Sequence, residues 1–109
     1  MNINFDDIKK EEFANFKGGE GALLAHMYFD GNNRILHGTL NPGSTIGYHK
    51  HEGNCEMIYI LSGEGKVLFD ESEERVKPGI MHYCPENHSH SLINDGSEDL
   101  IFVAVVPKQ

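Results

Sequence analysis

Two histidines and a glutamate constrain this chain more than any other feature. His49 and His51 lie two residues apart in a run of β-forming residues, and Glu56 follows after a short polar turn. Alternate residues of a β-strand project from the same face, so both imidazoles can reach one ion. A strand that folds back after the turn brings the Glu56 carboxylate to the same surface. We therefore expect a β fold whose inner surface carries a mixed nitrogen and oxygen ligand set.

A second segment can complete this ligand set. His90 lies among β-forming residues just after the turn formed by Pro85, Glu86 and Asn87, and it can supply a fourth ligand. Imidazole and carboxylate donors are accepted by iron, manganese, nickel, zinc and copper. We expect one divalent transition metal per chain, bound by His49, His51, Glu56 and His90.

The spacing of both segments resembles the two motifs of the cupin superfamily. The first cupin motif is Gly, five residues, His-x-His, three or four residues, Glu, six residues, Gly. It is matched by Gly43, His49, His51, Glu56 and Gly63. The second motif is Gly, five to seven residues, Pro-x-Gly, two residues, His, three residues, Asn. It is matched by Gly79, Pro85, His90 and Asn94.

The one departure is Asn87, which stands where the second motif usually has glycine. Asparagine tolerates positive φ better than other non-glycine residues, so we expect the turn to form. The resemblance covers roughly residues 22–107 and implies an all-β, cupin-type double-stranded β-helix, a jelly-roll-like barrel. It also implies that the metal lies inside the barrel and that the four ligand roles apply to the residues named above.

The rest of the chain fits a single domain of ten or so short strands. Residues 1–21 are predicted to form an N-terminal segment packed on the barrel, with a short helix or turn over 6–16. Residues 22–109 are predicted to form the barrel itself. Predicted strands include 45–51, 56–62, 81–84, 89–94 and 100–106, separated by turns rich in Gly, Pro and Asn.

Composition excludes several classes of function. The formal net charge of −8 argues against nucleic acid or an anionic membrane as partner, because both require clustered Lys and Arg. No apolar run reaches membrane-spanning length and no signal peptide is recognisable, so we expect a cytoplasmic protein. Cys55 and Cys84 are too few for a disulfide framework, and a role as small buried residues is favoured over a redox role.

Three further residues are candidates for proton transfer. His82 and Cys84 share one face of their predicted strand and Tyr83 lies on the other, but the sequence leaves open which face is inward. His82 is then a possible base, or Tyr83 a possible proton donor. His88 lies two residues before His90 and can share its face if the strand already runs there.

The expected ligand is a small anion. A divalent ion with one ionised glutamate leaves a net positive charge, which favours carboxylates, 2-oxo acids or enediols. Ile58 and Ile60 are expected on the metal side of their strand, which indicates a small, apolar cavity. The pattern therefore favours a metalloenzyme, with dioxygenase, decarboxylase, isomerase or lyase chemistry all open. The alternative is a non-catalytic binding or sensory module. The apolar last strand also predicts a homodimer that forms through an outer face.

Overall fold

The computed structural model describes residues 1–109, which form ten strands and two short 3₁₀ helices, Phe5–Asp7 and Phe16–Gly18. Neither helix has the length and apolar composition that a membrane-spanning helix requires. The strands are β1 (Glu11–Ala14), β2 (Ala22–Phe29), β3 (Asn33–Leu40), β4 (His49–Lys50), β5 (Glu56–Ser62), β6 (Gly65–Phe69), β7 (Ser72–Val76), β8 (Met81–Cys84), β9 (Ser89–Ile93) and β10 (Leu100–Pro107).

The strands form two antiparallel sheets, which confirms the all-β jelly-roll prediction. The larger sheet has the order β1-β2-β3-β10-β5-β8 and the smaller has the order β4-β9-β6-β7. Alternation of residues along each strand places one apolar face of each sheet inward. The core lies between the sheets and is centred on residues such as Leu23, Leu40, Ile58, Val67 and Phe102.

The two sheets do not close into a barrel, so the predicted barrel is wrong in this respect. Strands β7 and β8 follow each other in the chain but lie at the edges of different sheets, with no pairing between them. The short turn between them, which includes Pro78 and Gly79, carries the chain from one sheet to the other. The molecule is a two-sheet sandwich that is open along this seam.

The N-terminal segment differs from the predicted helix. Residues Glu11–Ala14 form strand β1, which pairs antiparallel with β2 through Phe13 opposite Leu23. Local pattern alone could not indicate this strand, because three of its four residues are exposed and only Phe13 turns toward the core. Pairing with a distant strand therefore outweighs the weak helical pattern.

The strand that carries the two motif histidines is shorter than predicted. Only His49–Lys50 pairs regularly with β9, and Thr45 forms an isolated bridge to Ile93. Between these points the Ile46 amide donates to the Leu92 carbonyl oxygen of β9 at 2.8 Å, but the Gly47 amide donates to the Phe16 carbonyl oxygen at 3.0 Å. This contact ties the loop before β4 to the N-terminal segment and builds one wall beside the site.

The turn that precedes β9 forms as predicted. Asn87 has φ of 71°, the left-handed conformation expected of the residue that replaces glycine in the second motif. Its amide donates to the His51 carbonyl oxygen at 2.6 Å, and the His51 amide donates to the His88 carbonyl oxygen at 2.9 Å. These reciprocal bonds hold the two motif segments side by side.

Candidate metal centre

The four predicted ligands meet at one point of the structure. His49 on β4 lies directly opposite His90 on β9, in the smaller sheet. Glu56 is the first residue of β5, in the larger sheet, and His51 lies just beyond β4. One ligand atom from each residue lies within 4.8 Å of all the others. The cluster therefore joins the two sheets from the inside.

The contacts within the cluster are short. The Nε2 atoms of His51 and His90 are 2.9 Å apart. Oε1 of Glu56 is 2.9 Å from Nε2 of His90 and 3.2 Å from Nε2 of His51. His51, Glu56 and His90 are buried, and His49 is partly buried. The cluster can therefore hold an ion largely shielded from water.

The other ring nitrogen of each histidine is held by a neighbouring group. Nδ1 of His49 donates to the Gly47 carbonyl oxygen at 2.6 Å. Nδ1 of His51 donates to Oδ1 of Asn54 at 2.7 Å. A proton fixed on Nδ1 leaves the Nε2 lone pair free, so these contacts prepare each imidazole to bind an ion.

His90 is held by another histidine. Its Nδ1 lies 3.0 Å from Nε2 of His82, and the two rings are stacked with an interplanar angle of 26°. Burial, together with the neighbouring His90, lowers the pKa of His82 to about 4. His82 is therefore neutral at neutral pH and can accept the proton that Nδ1 of His90 donates, which leaves Nε2 of His90 free.

This donor arrangement fits a metal ion. Three imidazole lone pairs and a carboxylate oxygen converge, and none of the four atoms has its own proton to offer the others when the rings are neutral. Four acceptors this close repel one another unless a cation lies between them. An ion bound by His49, His51, Glu56 and His90 resolves that repulsion.

Without an ion, the four groups of the cluster share protons through hydrogen bonds. Burial acts to raise the pKa of Glu56, but hydrogen bonds from His51 and His90 outweigh it and lower the pKa to about 2. Burial lowers the pKa of His49. Burial also acts against protonation of His51, but its hydrogen bonds with Glu56 and Asn54 prevail and raise the pKa. Glu56 is thus an anion across the physiological range.

The structure places the three proton-transfer candidates in different environments. His82 is inward and buried, behind the His90 ring. Tyr83 lies on the opposite face of β8 with 53% of its surface exposed, so it cannot donate a proton into the site. Because β9 begins only at Ser89, His88 turns outward instead, where Nδ1 bonds Oδ2 of Asp70 at 2.6 Å and the ring stacks on Phe69. Tyr83 and His88 are therefore not part of the site.

A cavity of about 310 Å³ opens beside the cluster. Three of the ligands, His49, His51 and Glu56, line it, and His90 lies behind them. The remaining wall is part apolar and part charged: Phe16, Lys17, Leu23, Arg34, Leu36, Ile46, Lys50, Glu52, Asn54, Phe102 and Val106. This volume is at the low end for ligand pockets and suits a small molecule.

Ile58 and Ile60 do not line this cavity, contrary to the sequence-based expectation. Both are on the same inner face as Glu56, but they are buried at 1% exposure in the core between the sheets. The apolar wall instead comes from other elements, chiefly β3 through Leu36 and β10 through Phe102. Strand alternation identified the face correctly but not the depth of each residue along the strand.

Neither cysteine has a role in the cluster. Cys55 and Cys84 are both buried and unpaired. Burial raises the pKa of Cys55, and burial also raises the pKa of Cys84, to about 12. Both thiols are therefore protonated and poorly nucleophilic at neutral pH. Packing is the role that their positions support.

Sequence reasoning missed two residues of the site. Asn54 orients His51, and Arg34 lies in the cavity wall. A signal for Arg34 was present, because it shares its strand face with Leu36, Gly38 and Leu40, all buried. An arginine on the inward face of a strand is unusual and points to a charged pocket. Asn54 had no such signal, since its orientation depends on the fold of the turn.

Comparison with known proteins gives two close relatives. A protein of Thermotoga maritima named oxalate-binding protein is 34% identical over 115 residues, covering 97% of this chain and 93% of the relative. A crystal structure from the same species, described as a predicted oxalate decarboxylase, has a TM-score of 0.92 at 32% identity and covers 100% of both chains. Fold and length therefore agree throughout.

Another relative matches only part of the chain. Glucose-6-phosphate isomerase of Pyrococcus abyssi is 34% identical over 65 residues, which is 55% of this chain and 34% of that enzyme. The family model described as Cupin domain matches residues 36–106, which include both motif segments and all four ligands. With that match over more than half its length, the chain belongs to the cupin family.

Proposed function

We propose that this protein binds one divalent transition metal through His49, His51, Glu56 and His90, and that the centre binds a small carboxylate. The observation that carries the proposal is the convergence of three imidazole nitrogens and one carboxylate oxygen at the wall of a 310 Å³ cavity. Four protein ligands leave open positions on an ion that prefers six. A carboxylate in the cavity can fill them.

Oxalate is the first ligand to test. It is small enough for the cavity and supplies two oxygen donors to an ion. The name of the Thermotoga maritima relative, oxalate-binding protein, supports this choice. Bound metal would supply positive charge that holds and polarises the acid. The protein contributes the apolar wall that excludes larger molecules, and it contributes the hydrogen bonds that orient the metal-binding side chains.

Turnover of the bound acid is the second candidate function, by decarboxylase, dioxygenase, isomerase or lyase chemistry. A relative described as a predicted oxalate decarboxylase favours it. The cavity wall favours binding without turnover, because outside the metal cluster the only acid there is Glu52, which pairs with Lys50 at 3.5 Å. His82 contacts only the back of the His90 ring. Proton transfer in the cavity would therefore depend on Glu52.

The test is metal analysis followed by calorimetric titration with oxalate. We expect about one transition metal per purified chain, and we expect His51→Ala to lose most of it, because that change removes a ligand. His37→Ala is the matched control, since His37 lies on the first hairpin outside the cluster. Oxalate should bind only the metal-loaded protein. Full metal occupancy in His51→Ala would refute the ligand assignment.

Turnover is then measured on the same samples by following oxygen uptake, carbon dioxide release and formate. Binding without loss of oxalate would support the binding module, and metal-dependent product formation would support the enzyme.

A cytoplasmic location also stays a prediction from the sequence.

We further propose that the protein is a homodimer that forms through the outer face of the larger sheet. Two rows of apolar side chains run across β10, β5 and β8 on this face: Val105, Met57 and Tyr83, then Val103, Tyr59 and Met81. Met81 and Tyr83 are more than half exposed. Contiguous exposed apolar residues on a sheet are typical of an interface between copies.

A further inference from the structure

Arg34 has an unusual environment in the cavity wall. It lies near the start of β3, and its Nε atom is buried without any hydrogen-bond partner. It is the only buried side-chain nitrogen or oxygen in the protein without one. Nε is closed off from the cavity, but the terminal amino groups of this cavity-lining residue also make no hydrogen bond within the protein and are free to donate to a ligand.

No acidic side chain neutralises this arginine. None of the ion pairs in the protein includes Arg34, whereas the other arginine, Arg75, pairs with Asp95. The Arg34 guanidinium instead lies over the ring of Phe29, with Cζ 4.7 Å from the ring centroid. An aromatic ring orients a guanidinium plane but leaves its N–H donors free. Those donors are available to a bound anion.

The charge of the cavity contrasts with that of the whole chain. The chain has 17 acidic and 9 basic residues. The cavity wall carries three basic residues and two acidic ones: Lys17, Arg34 and Lys50, with Glu52 and Glu56. Lys50 pairs with Glu52, and Glu56 contacts the cluster histidines. Arg34 and Lys17 are therefore the unneutralised charges, and both are positive.

We propose that Arg34 binds the second carboxylate of a small dicarboxylate whose first carboxylate binds the metal. The inference rests on the proposed function and names its substrate class. A divalent ion with Glu56 contributes one net positive charge, and Arg34 and Lys17 contribute two more, so the site favours a dianion over a monoanion. Guanidinium and carboxylate groups also pair through two parallel hydrogen bonds, which gives selectivity for a carboxylate over a hydroxyl or carbonyl.

The test compares the binding of three acids to the wild type and two variants. Metal-loaded wild type, Arg34→Gln and Arg34→Lys are titrated with malonate and oxalate, which have two carboxylates, and with glycolate, which has one. Loss of a charged hydrogen-bond partner should weaken dicarboxylate binding by Arg34→Gln about 10- to 100-fold. Glycolate binding should change less than about threefold. Arg34→Lys should be intermediate for the dicarboxylates, because lysine keeps the charge but loses the paired geometry.

Arg75→Gln is the matched control, since Arg75 is the other arginine and lies on β7 outside the cavity. It should bind all three acids like the wild type. Arg34→Gln should contain as much metal as the wild type, which would show that the variant still folds and binds the ion. Equal loss of glycolate and dicarboxylate affinity, or no loss of either, would overturn the role of Arg34 while leaving the metal-bound carboxylate intact. A metal-loaded wild type that binds none of the acids would overturn both proposals.

Discussion

His82 is the residue whose position behind a ligand has the clearest consequence for the centre. Its Nε2 accepts from Nδ1 of His90 at 3.0 Å, so it fixes which nitrogen of His90 faces the ion. Partners of this kind typically contribute 10- to 100-fold to metal affinity. His82 is therefore a positioning residue, and it can be tested separately from the ligands.

We predict that His82→Phe lowers metal affinity about 10- to 100-fold, because phenylalanine fills the space but accepts no hydrogen bond. His82→Gln should retain more of the affinity, since its amide oxygen can accept from Nδ1 of His90. Competition with a chromophoric chelator measures both variants against wild type. Equal affinities in the Phe and Gln variants would contradict the positioning role.

The same residue predicts a pH dependence of stability in metal-free protein. The pKa of His82 is lowered from 6.5 to about 4, so between these values the unfolded chain binds a proton that the folded chain does not. Acidification through this range therefore removes stability contributed by the neutral His82 ring. His82→Gln lacks this dependence. Between pH 7 and about pH 4, the free energy of unfolding of the wild type should therefore fall relative to that of His82→Gln. This difference between the two proteins is the gap to be measured.

Urea unfolding with excess chelator, repeated across that pH range, measures the gap directly. Comparison with the variant cancels the titration of His49, His51 and Glu56, which remain in both proteins. A gap that stays constant with pH would show that His82 is not held neutral by burial.

At the scale of elements, the turn before β9 determines how the motif segments meet. Asn87 adopts φ of 71° and donates its amide to the His51 carbonyl oxygen. We predict that Asn87→Gly changes the free energy of unfolding by less than about 1 kcal/mol, because glycine adopts this conformation freely. Asn87→Val should cost about 2 kcal/mol, since a β-branched residue is strained at positive φ.

Chemical denaturation of the metal-free variants measures both effects. Asn32→Val is the matched control: Asn32 is an exposed turn residue without positive φ, and the change there should cost less than about 0.5 kcal/mol. An Asn87→Val cost as small as the control would mean that the turn relaxes without strain.

Elements defined by local pattern were predicted better than elements defined by distant contacts. The bounds of β5 and β8 agree with the prediction, because both are dense β-forming runs between turn residues. The His49, His51, Glu56 and His90 cluster was predicted through the resemblance to the two cupin motifs, because the contacts that bring these distant residues together are not a local property. Strand β1 was not, because its charged residues form a strand only by pairing with β2.

The inward face of β8 shows the limit of pattern in the site itself. Both faces of Met81–Cys84 carry one polar and one less polar side chain, so alternation gave no preference between His82 and Tyr83. Packing against the core decides which face of β8 is inward, because Cys84, which shares a face with His82, is fully buried. Likewise, the point at which β9 begins determines where His88 points, and strand boundaries depend on the partner strand.

For the whole molecule, the outer face of the larger sheet predicts the oligomeric state. Light scattering should give about twice the 12.2 kDa mass of the chain. Met81→Glu should shift this toward the monomer, because it places a charge at the β8 end of one apolar row. Tyr48→Glu is the matched control, since Tyr48 is similarly exposed but lies just before β4 of the smaller sheet. A monomeric wild type at micromolar concentration would contradict the dimer.

The ligands of the centre come from both sheets, with Glu56 on the larger and His49 and His90 on the smaller. An ion bound by Glu56, His49 and His90 would cross-link the two sheets. No backbone pairing joins the sheets along the seam between β7 and β8. Binding to the folded chain alone adds stability that grows with the logarithm of the free ion concentration. The melting temperature of this protein would then rise with the concentration of free metal ion in its surroundings.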